Sequence, residues 1–218
     1  MIVLDKVTKT FRVRGENKTV ANEISVVIPT GTSVALLGRN GAGKSTLLQM
    51  IAGTQIPTSG KIWSDGTISF PVGFAGSFHP ELTGIQNVRF VARIYGVETD
   101  VLVAFVEEFA ELGRHYYMPV RTYSSGMRSR LAFGLSMGIR FDTYLVDEVT
   151  SVGDAGFRVK SEAVFMERMS QSGAIVVSHS MDFVKRICNM AIVLEDGAIQ
   201  IYDDVGEGVA RHLKNMNV

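Results

Sequence analysis

The chain carries a single cysteine, Cys188, in 218 residues, so no disulfide can form within it. That usage fits a reducing compartment. Neither sign of charge is in excess, with 22 Lys+Arg against 22 Asp+Glu. Proteins whose main task is gripping phosphate backbones usually carry a basic surplus, so no nucleic-acid partner is expected. Long apolar runs are missing too. The longest charge-free stretches, such as 45–60, are broken by Ser, Thr, Gln, Gly and Pro. None approaches the run of roughly 18 apolar residues that a membrane span requires. The opening Met-Ile-Val-Leu-Asp-Lys lacks the basic and long apolar regions of a signal peptide. These absences exclude a disulfide scaffold and a spanning protein. They leave a cytosolic globular chain, 46% hydrophobic, of one domain by length.

What is present alternates. The run 24–28 is β-branched and apolar, and Pro29-Thr30-Gly31 punctuates it. A second short run, 32–37, reads as a buried strand and leads into a glycine-rich stretch, 38–43. Helical spacing of Leu47, Leu48 and Ile51 follows over 44–52, with Gly53 as a stop. A turn at 57–60 precedes a short strand at 61–64. Helices are expected at 83–95, 100–112 and 124–139. In the second, Val101, Phe105, Phe109 and Leu112 share a face, and Gly113 ends it. Strands return at 143–147, 174–178, 191–194 and 198–202, the last two joined as a hairpin by Asp196-Gly197. The pattern is an α/β core with a helical block inserted at about 83–140.

Gly38-Arg39-Asn40-Gly41-Ala42-Gly43-Lys44-Ser45 matches G-x-x-x-x-G-K-[ST] between an expected strand and an expected helix. Glycines let the backbone curl until successive N–H groups aim at one anion, and the following helix adds its positive end. Lys44 would reach the outer phosphates. Ser45 would offer a hydroxyl to Mg²⁺, and Thr46 continues the same turn. Kinases, GTPases and ATPases all remain open at this point. The apolar strand 143–147 ends in Asp147-Glu148, which has the form of a Walker B strand. Asp147 would hold Mg²⁺ through water, and Glu148 would polarise the attacking water. A surface acidic pair at a strand end is the bland alternative.

Tyr123-Ser124-Ser125-Gly126-Met127 stands at the start of an expected helix. With these residues the whole chain resembles the nucleotide-binding subunit of ABC transporters, whose members carry a signature near L-S-G-G-Q here. The resemblance implies an ABC-type P-loop NTPase domain with a RecA-like core, an antiparallel β subdomain and an inserted α-helical subdomain, spanning 1–218. It implies that Ser124 and Gly126 touch the γ-phosphate of ATP bound by the opposite subunit. Ser125 and Met127 depart from the family's Gly and Gln, and an ordinary helix cap at Ser124 is the competing reading. Ser151-Val152-Gly153-Asp154 resembles the D-loop, with Asp154 fixing the partner's geometry. His179 resembles the switch histidine that meets the γ-phosphate and the attacking water. Phe11 is similar to the aromatic that stacks on adenine, although a buried strand aromatic would look the same. No glutamine occupies 74–80, where the family has one near the metal. His79 is a weak stand-in, and Gln86 reads as surface.

The string 123–133 is narrower than the family motif and resembles the branch that exports bacterial surface polysaccharides. Residues 90–95, 107–113, 152–154 and 38–41 resemble the capsule exporters of Gram-negative bacteria. The chain ends 39 positions after His179, so no room is expected for the glycan-binding domain of related O-antigen exporters. The resemblance implies two copies sandwiching ATP and Mg²⁺, and an integral permease pressed by the stretch 74–83. The chain would then sit peripherally, through that permease, at the cytoplasmic face of the bacterial inner membrane. The alternatives are an ATPase for O-antigen or teichoic-acid export, or a soluble ABC ATPase. A small-molecule kinase would leave 123–127 unexplained.

Overall fold

The computed structural model describes every residue except 14, 74, 75, 77, 148–153, 217 and 218, together with the side chains of residues 13 and 155. The chain divides into two compact units. The first comprises Met1–Ser69, Phe141–Glu148 and Met169–Val218; the second comprises Phe70–Arg140 and Val149–Arg168.

A long antiparallel pair, β1 (Ile2–Val13) and β2 (Glu16–Ile28), opens the chain, and β4 (Ser59–Ser64) pairs with β1. Ile24, Val26 and Ile28 are buried while Ser25 and Val27 face out, the period of two that one covered face demands. In β1 the buried set shifts from Ile2 and Leu4 to Val7 and Lys9. The register slips between Leu4 and Val7, and Lys6 has φ 48°. This bulge re-phases the strand. Gly60 lies against it, for a Cβ there would be 2.3 Å from the Lys6 carbonyl oxygen.

The second sheet has six strands. Its order is β5 (Ile68–Pro71), β6 (Thr143–Asp147), β7 (Gly173–Val177), β3 (Ser33–Leu37), β8 (Met190–Glu195) and β9 (Ala198–Tyr202). Strands β6, β7, β3 and β8 run parallel. All residues of β3 and β7 are buried, as expected for strands covered on both faces. Strand β9 returns antiparallel through Asp196 (φ 47°) and Gly197 (φ 79°), the two left-handed positions of a type I′ turn.

Helices of the first unit include α1 (Lys44–Ile51), α6 (Met181–Ile187) and α7 (Val205–Met216). The second unit holds α2 (Gly84–Tyr95), α3 (Thr99–Ala110), α4 (Ser125–Gly138) and most of α5 (Ala155–Gln171). Helix α4 is buried nearly all round between Leu131 and Met137, which is why it shows no stripe. Gly134 and Gly138 admit α3 closely: a Cβ at Gly138 would be 2.5 Å from Leu102. Phe109 stacks on Phe133 and meets Phe157 edge-on at 5.2 Å, joining α3, α4 and α5.

The inward face of α3 differs from the expected one. Leu102, Val103, Val106, Phe109 and Ala110 are buried, and Val101 is 70% exposed. The stripe is rotated because α3 must meet glycine-lined α4. The helix ends at Glu111, itself at φ 52°, before Gly113. Strand β1, strand β5 and helices α5 and α6 carried no clear expectation. Among the described residues no helix is long and apolar enough to cross a membrane.

Candidate nucleotide site and signature turn

Strand β3 ends at Leu37, and the chain turns through Gly38–Gly43 into α1. Gly38, Gly41 and Gly43 have φ of 155°, 79° and 108°. Two of these glycines are required by close approach. A Cβ on Gly38 would lie 2.4 Å from the Leu194 carbonyl oxygen, and one on Gly43 would lie 2.9 Å from Val20. Gly43 is the N-cap of α1 and no side chain caps that end. The first-turn N–H groups are thus available to an anion, at the positive end of the helix dipole. The Lys44 ammonium donates to the carbonyls of Gly38 (2.8 Å) and Arg39 (3.0 Å). It is therefore held across the loop, at the position from which it can swing to a phosphate. Ser45 is exposed in the first turn, with Thr46 half-buried beside it.

A cleft of about 340 Å³ flanks the loop. Its walls are Lys18–Val20 of β2, Gly38–Ala42, Val193–Gly197 of the β8–β9 hairpin, and His212 and Asn215 of α7. Phe11 is half-buried on β1, directly across from Lys18. The Lys9 ammonium lies 5.0 Å from its ring centroid and donates to the Ile56 carbonyl at 2.7 Å. One side of that ring thus already meets a cation.

Asp147 closes β6 and pairs with Val177, the end of β7, while Ala35 of β3 pairs with Val176. Three parallel strands therefore stop at one sheet edge, where α/β sheets present ligands. Half-buried Asp147 is the last residue of β6, and exposed Ser45 lies in the first turn of α1, which follows β3 through the glycine loop. Both are hard oxygen donors of the kind Mg²⁺ takes together with phosphate oxygens. His179, also exposed, follows β7. Ser178 and Ser180 shape that turn: Ser178 Oγ accepts from the Ser180 N–H at 3.1 Å, and Ser180 caps α6. Glu148 lies outside the described residues.

In the second unit, Ser124 caps α4, accepting from the Met127 N–H at 3.2 Å. The capping alternative and the signature position are thus the same residue. Gly126 is exposed, and a Cβ there would meet nothing nearer than Ser124 Oγ at 3.9 Å. Packing within the chain does not require a glycine there. Tyr123 is buried and its hydroxyl donates to the His115 carbonyl at 2.6 Å. Burial pushes this phenol up to about 12, so it stays a donor. Asp154 has two local tasks. One oxygen accepts from the Phe157 N–H at 3.0 Å, and the other pairs with Arg130 of α4 at 2.5 Å. The Phe157 N–H first, with Arg130 also contributing, holds its carboxyl below the usual value against an opposing burial effect. The Arg130 guanidinium also lies over the Phe157 ring at 4.6 Å. Residues 151–153 lie outside the described residues.

The family model of the ABC transporter matches residues 21–151. The chain belongs to the ABC transporter family. It is 50% identical over 212 residues to the polysialic acid transport ATP-binding protein KpsT of Escherichia coli, covering 96% of this chain and 95% of that one. It is 45% identical to the capsule polysaccharide export ATP-binding protein CtrD of Neisseria meningitidis serogroup B, over 94% and 95%. A solved dimer of the ATP-binding cassette MJ0796, bound to ADP and Pi in a post-hydrolysis state, superposes with a TM-score of 0.76 at 22% identity, over 94% and 99%. At that identity it speaks for the fold alone: an ABC-type cassette with its parallel core, antiparallel sheet and helical part.

Where this ABC cassette lacks the expected glutamine, His79 is engaged locally. Its Nδ1 accepts from the Glu81 N–H at 3.3 Å, and its backbone N–H donates to the buried Asn87 at 2.8 Å. Asn87 returns its amide to the carbonyls of His79, Leu82 and Thr83. Gln86, expected at the surface, completes a capping box with Thr83. That pair was readable as T-x-x-Q before an apolar run. Phe74, Ala75 and Ser77 of the expected permease-facing stretch lie outside the described residues. His212 and Asn215 were missed. The signal was the inward stripe Gly208–Val209–His212 on α7, which places a polar ring where apolar packing is the rule.

Proposed function

We propose that this chain is the ATP-binding and hydrolysing subunit of an ABC transporter that exports capsular polysaccharide across the bacterial inner membrane. Relatives named for polysialic acid transport and for capsule polysaccharide export match it nearly end to end, and that is the observation that carries the substrate. The chemistry is carried by an uncapped helix start with three left-handed glycines. The reading takes 1–218 as one ATPase domain, peripheral at the cytoplasmic face and reaching the membrane only through an integral permease.

The loop N–H groups of 40–46 receive the β- and γ-phosphates, and Lys44 leaves the carbonyls of Gly38 and Arg39 to pair with them. Phe11 and Val20 receive the base. Ser45 and Asp147 would hold Mg²⁺, which would supply charge neutralisation to the phosphates. Glu148 orients and deprotonates the attacking water, and His179 holds the γ-phosphate side. A second copy offers Ser124 and Gly126 to the same ATP and Asp154 to the shared interface, so binding closes the dimer and hydrolysis opens it.

Glu148→Gln tests this. It should bind ATP and lose turnover by about 10²–10⁴-fold, the contribution of a general base. Near-normal turnover by the purified complex sinks the assignment. Restoration of capsule, and not of O-antigen or teichoic acid, in export-deficient cells tests the substrate. Restoration of another glycan would favour the alternative exporter.

A further inference from the structure

We propose that His212 of α7 is a positioning residue for ATP binding, bordering the cleft beside the glycine loop so that the phosphate cradle keeps its shape. The inference rests on the ATPase reading above and goes beyond it. Helix α7 sits hard against the sheet: a Cβ on Gly208 would lie 2.3 Å from the Ala191 Cβ. One turn on, His212 is buried to 8% exposure and faces Gly38–Ala42 across the cleft. The next turn brings Asn215, whose amide donates to Glu195 Oε2 at 2.8 Å. Glu195 ends β8, and its neighbour Leu194 presses its carbonyl on Gly38. Helix, strand end and loop thus line one cleft, beside the backbone that would face the phosphates.

The chemistry of the ring suits that place. Burial first, then Lys44 and His179, hold His212 below the ordinary imidazole value, with Glu195 opposing. A neutral imidazole lines the cleft without competing with Lys44 for the phosphates. Lys18, Arg39 and Asp196 are the other charged side chains on the cleft.

The test uses the full-length chain with steady-state ATP hydrolysis and equilibrium binding of a fluorescent ATP analogue. A displacement near 1 Å at a reacting centre costs up to about 10²-fold; a support one layer back should cost about 5- to 20-fold. His212→Ala is expected to raise KM and the analogue's Kd by that factor, with kcat within about threefold of wild type. His212→Gln, neutral and of similar reach, should restore both. A purely packing role predicts a lower melting temperature with KM unchanged, and that result overturns the proposal. If His212→Ala does not fold, Asn215→Ala carries the test, since freeing Glu195 should also raise KM; an unchanged KM there overturns it equally. A wild-type chain that neither binds nor hydrolyses ATP sinks the ATPase reading itself, which the variants' KM cannot do.

Discussion

At the glycine loop the anion-binding groups are backbone N–H groups at a helix start with no side-chain cap. At 123–127 the helix start is capped, by Ser124. The loop glycines are forced by φ and by neighbours at 2.4 and 2.9 Å, whereas Gly126 has open space around it. One region is therefore fixed by its own chain. The other has a glycine that packing within its own chain does not require; in the reading above it serves the phosphate of a second copy's ATP.

The sharpest way to break this comparison is a matched pair of alanines. Gly43→Ala puts a Cβ 2.9 Å from Val20 at a φ that L residues resist. Nucleotide binding by the isolated chain should weaken about 10- to 100-fold. Gly126→Ala should leave monomer binding and melting temperature unchanged while lowering turnover of the complex. Loss of monomer binding in Gly126→Ala, measured by fluorescence titration, would erase the distinction.

The same contrast decides what the sequence made legible. The glycine loop was readable residue by residue, because its spacing reports a backbone conformation that few other sequences adopt. Parallel strands β3, β6 and β7 were readable for a similar reason, as short apolar runs bounded by turns. Ser124 was ambiguous, since a cap and a signature serine use the same residue type at the same position. The inward face of α3 was misread, because Val101 and Leu102 are equally apolar and only the glycines of α4 select between them. His212 was missed, because the stripe that marks it as inward does not say what it faces, and that depends on β8 and the loop. Asp154 was expected as a D-loop acid, and nothing in the spacing announced its pairing with Arg130 of the same chain.

Ser124→Arg tests the outward use of the signature turn. A bulky cation there should abolish ATP-dependent dimers while monomer nucleotide affinity stays within about twofold, since the chain's own loop is untouched. Dimers that persist in sedimentation or scattering would return Ser124 to a plain helix cap.

A smaller effect separates the two caps of the helical unit. Thr83 and Gln86 form a reciprocal box at α2. Ser124 caps α4 through its hydroxyl, which accepts from the Met127 N–H. Thr83→Ala should cost about 1 kcal/mol of stability in denaturant unfolding, with KM for ATP unchanged. A KM change would mean that the turn 79–83, clasped by Asn87, serves the nucleotide as well.

The smallest expected effect compares one carboxylate from each unit. Asp142 accepts from the Thr67 N–H at 2.7 Å and the Thr67 hydroxyl at 2.8 Å, and those two bonds lower its pKa, in that order. Asp154 is lowered chiefly by the Phe157 N–H. A carboxyl lowered on folding is less protonated in the native state than in the unfolded one. Each therefore contributes stability at pH values above the ordinary carboxylate value of about 3.9, lost as pH falls through its lower folded value. Both side chains are exposed, so the contribution is small. Melting temperature measured from pH 6 down to pH 3 should fall less steeply for Asp142→Asn and for Asp154→Asn than for wild type. The two should then part in turnover. Asp142 lies in a turn with no place in the ATP reading, so Asp142→Asn should hydrolyse ATP as wild type does. Asp154→Asn, by loosening Arg130 on the signature helix, should slow turnover of the complex. If both variants hydrolyse ATP normally, the ion pair with Arg130 holds α5 to α4 and has no part in presenting Ser124 and Gly126.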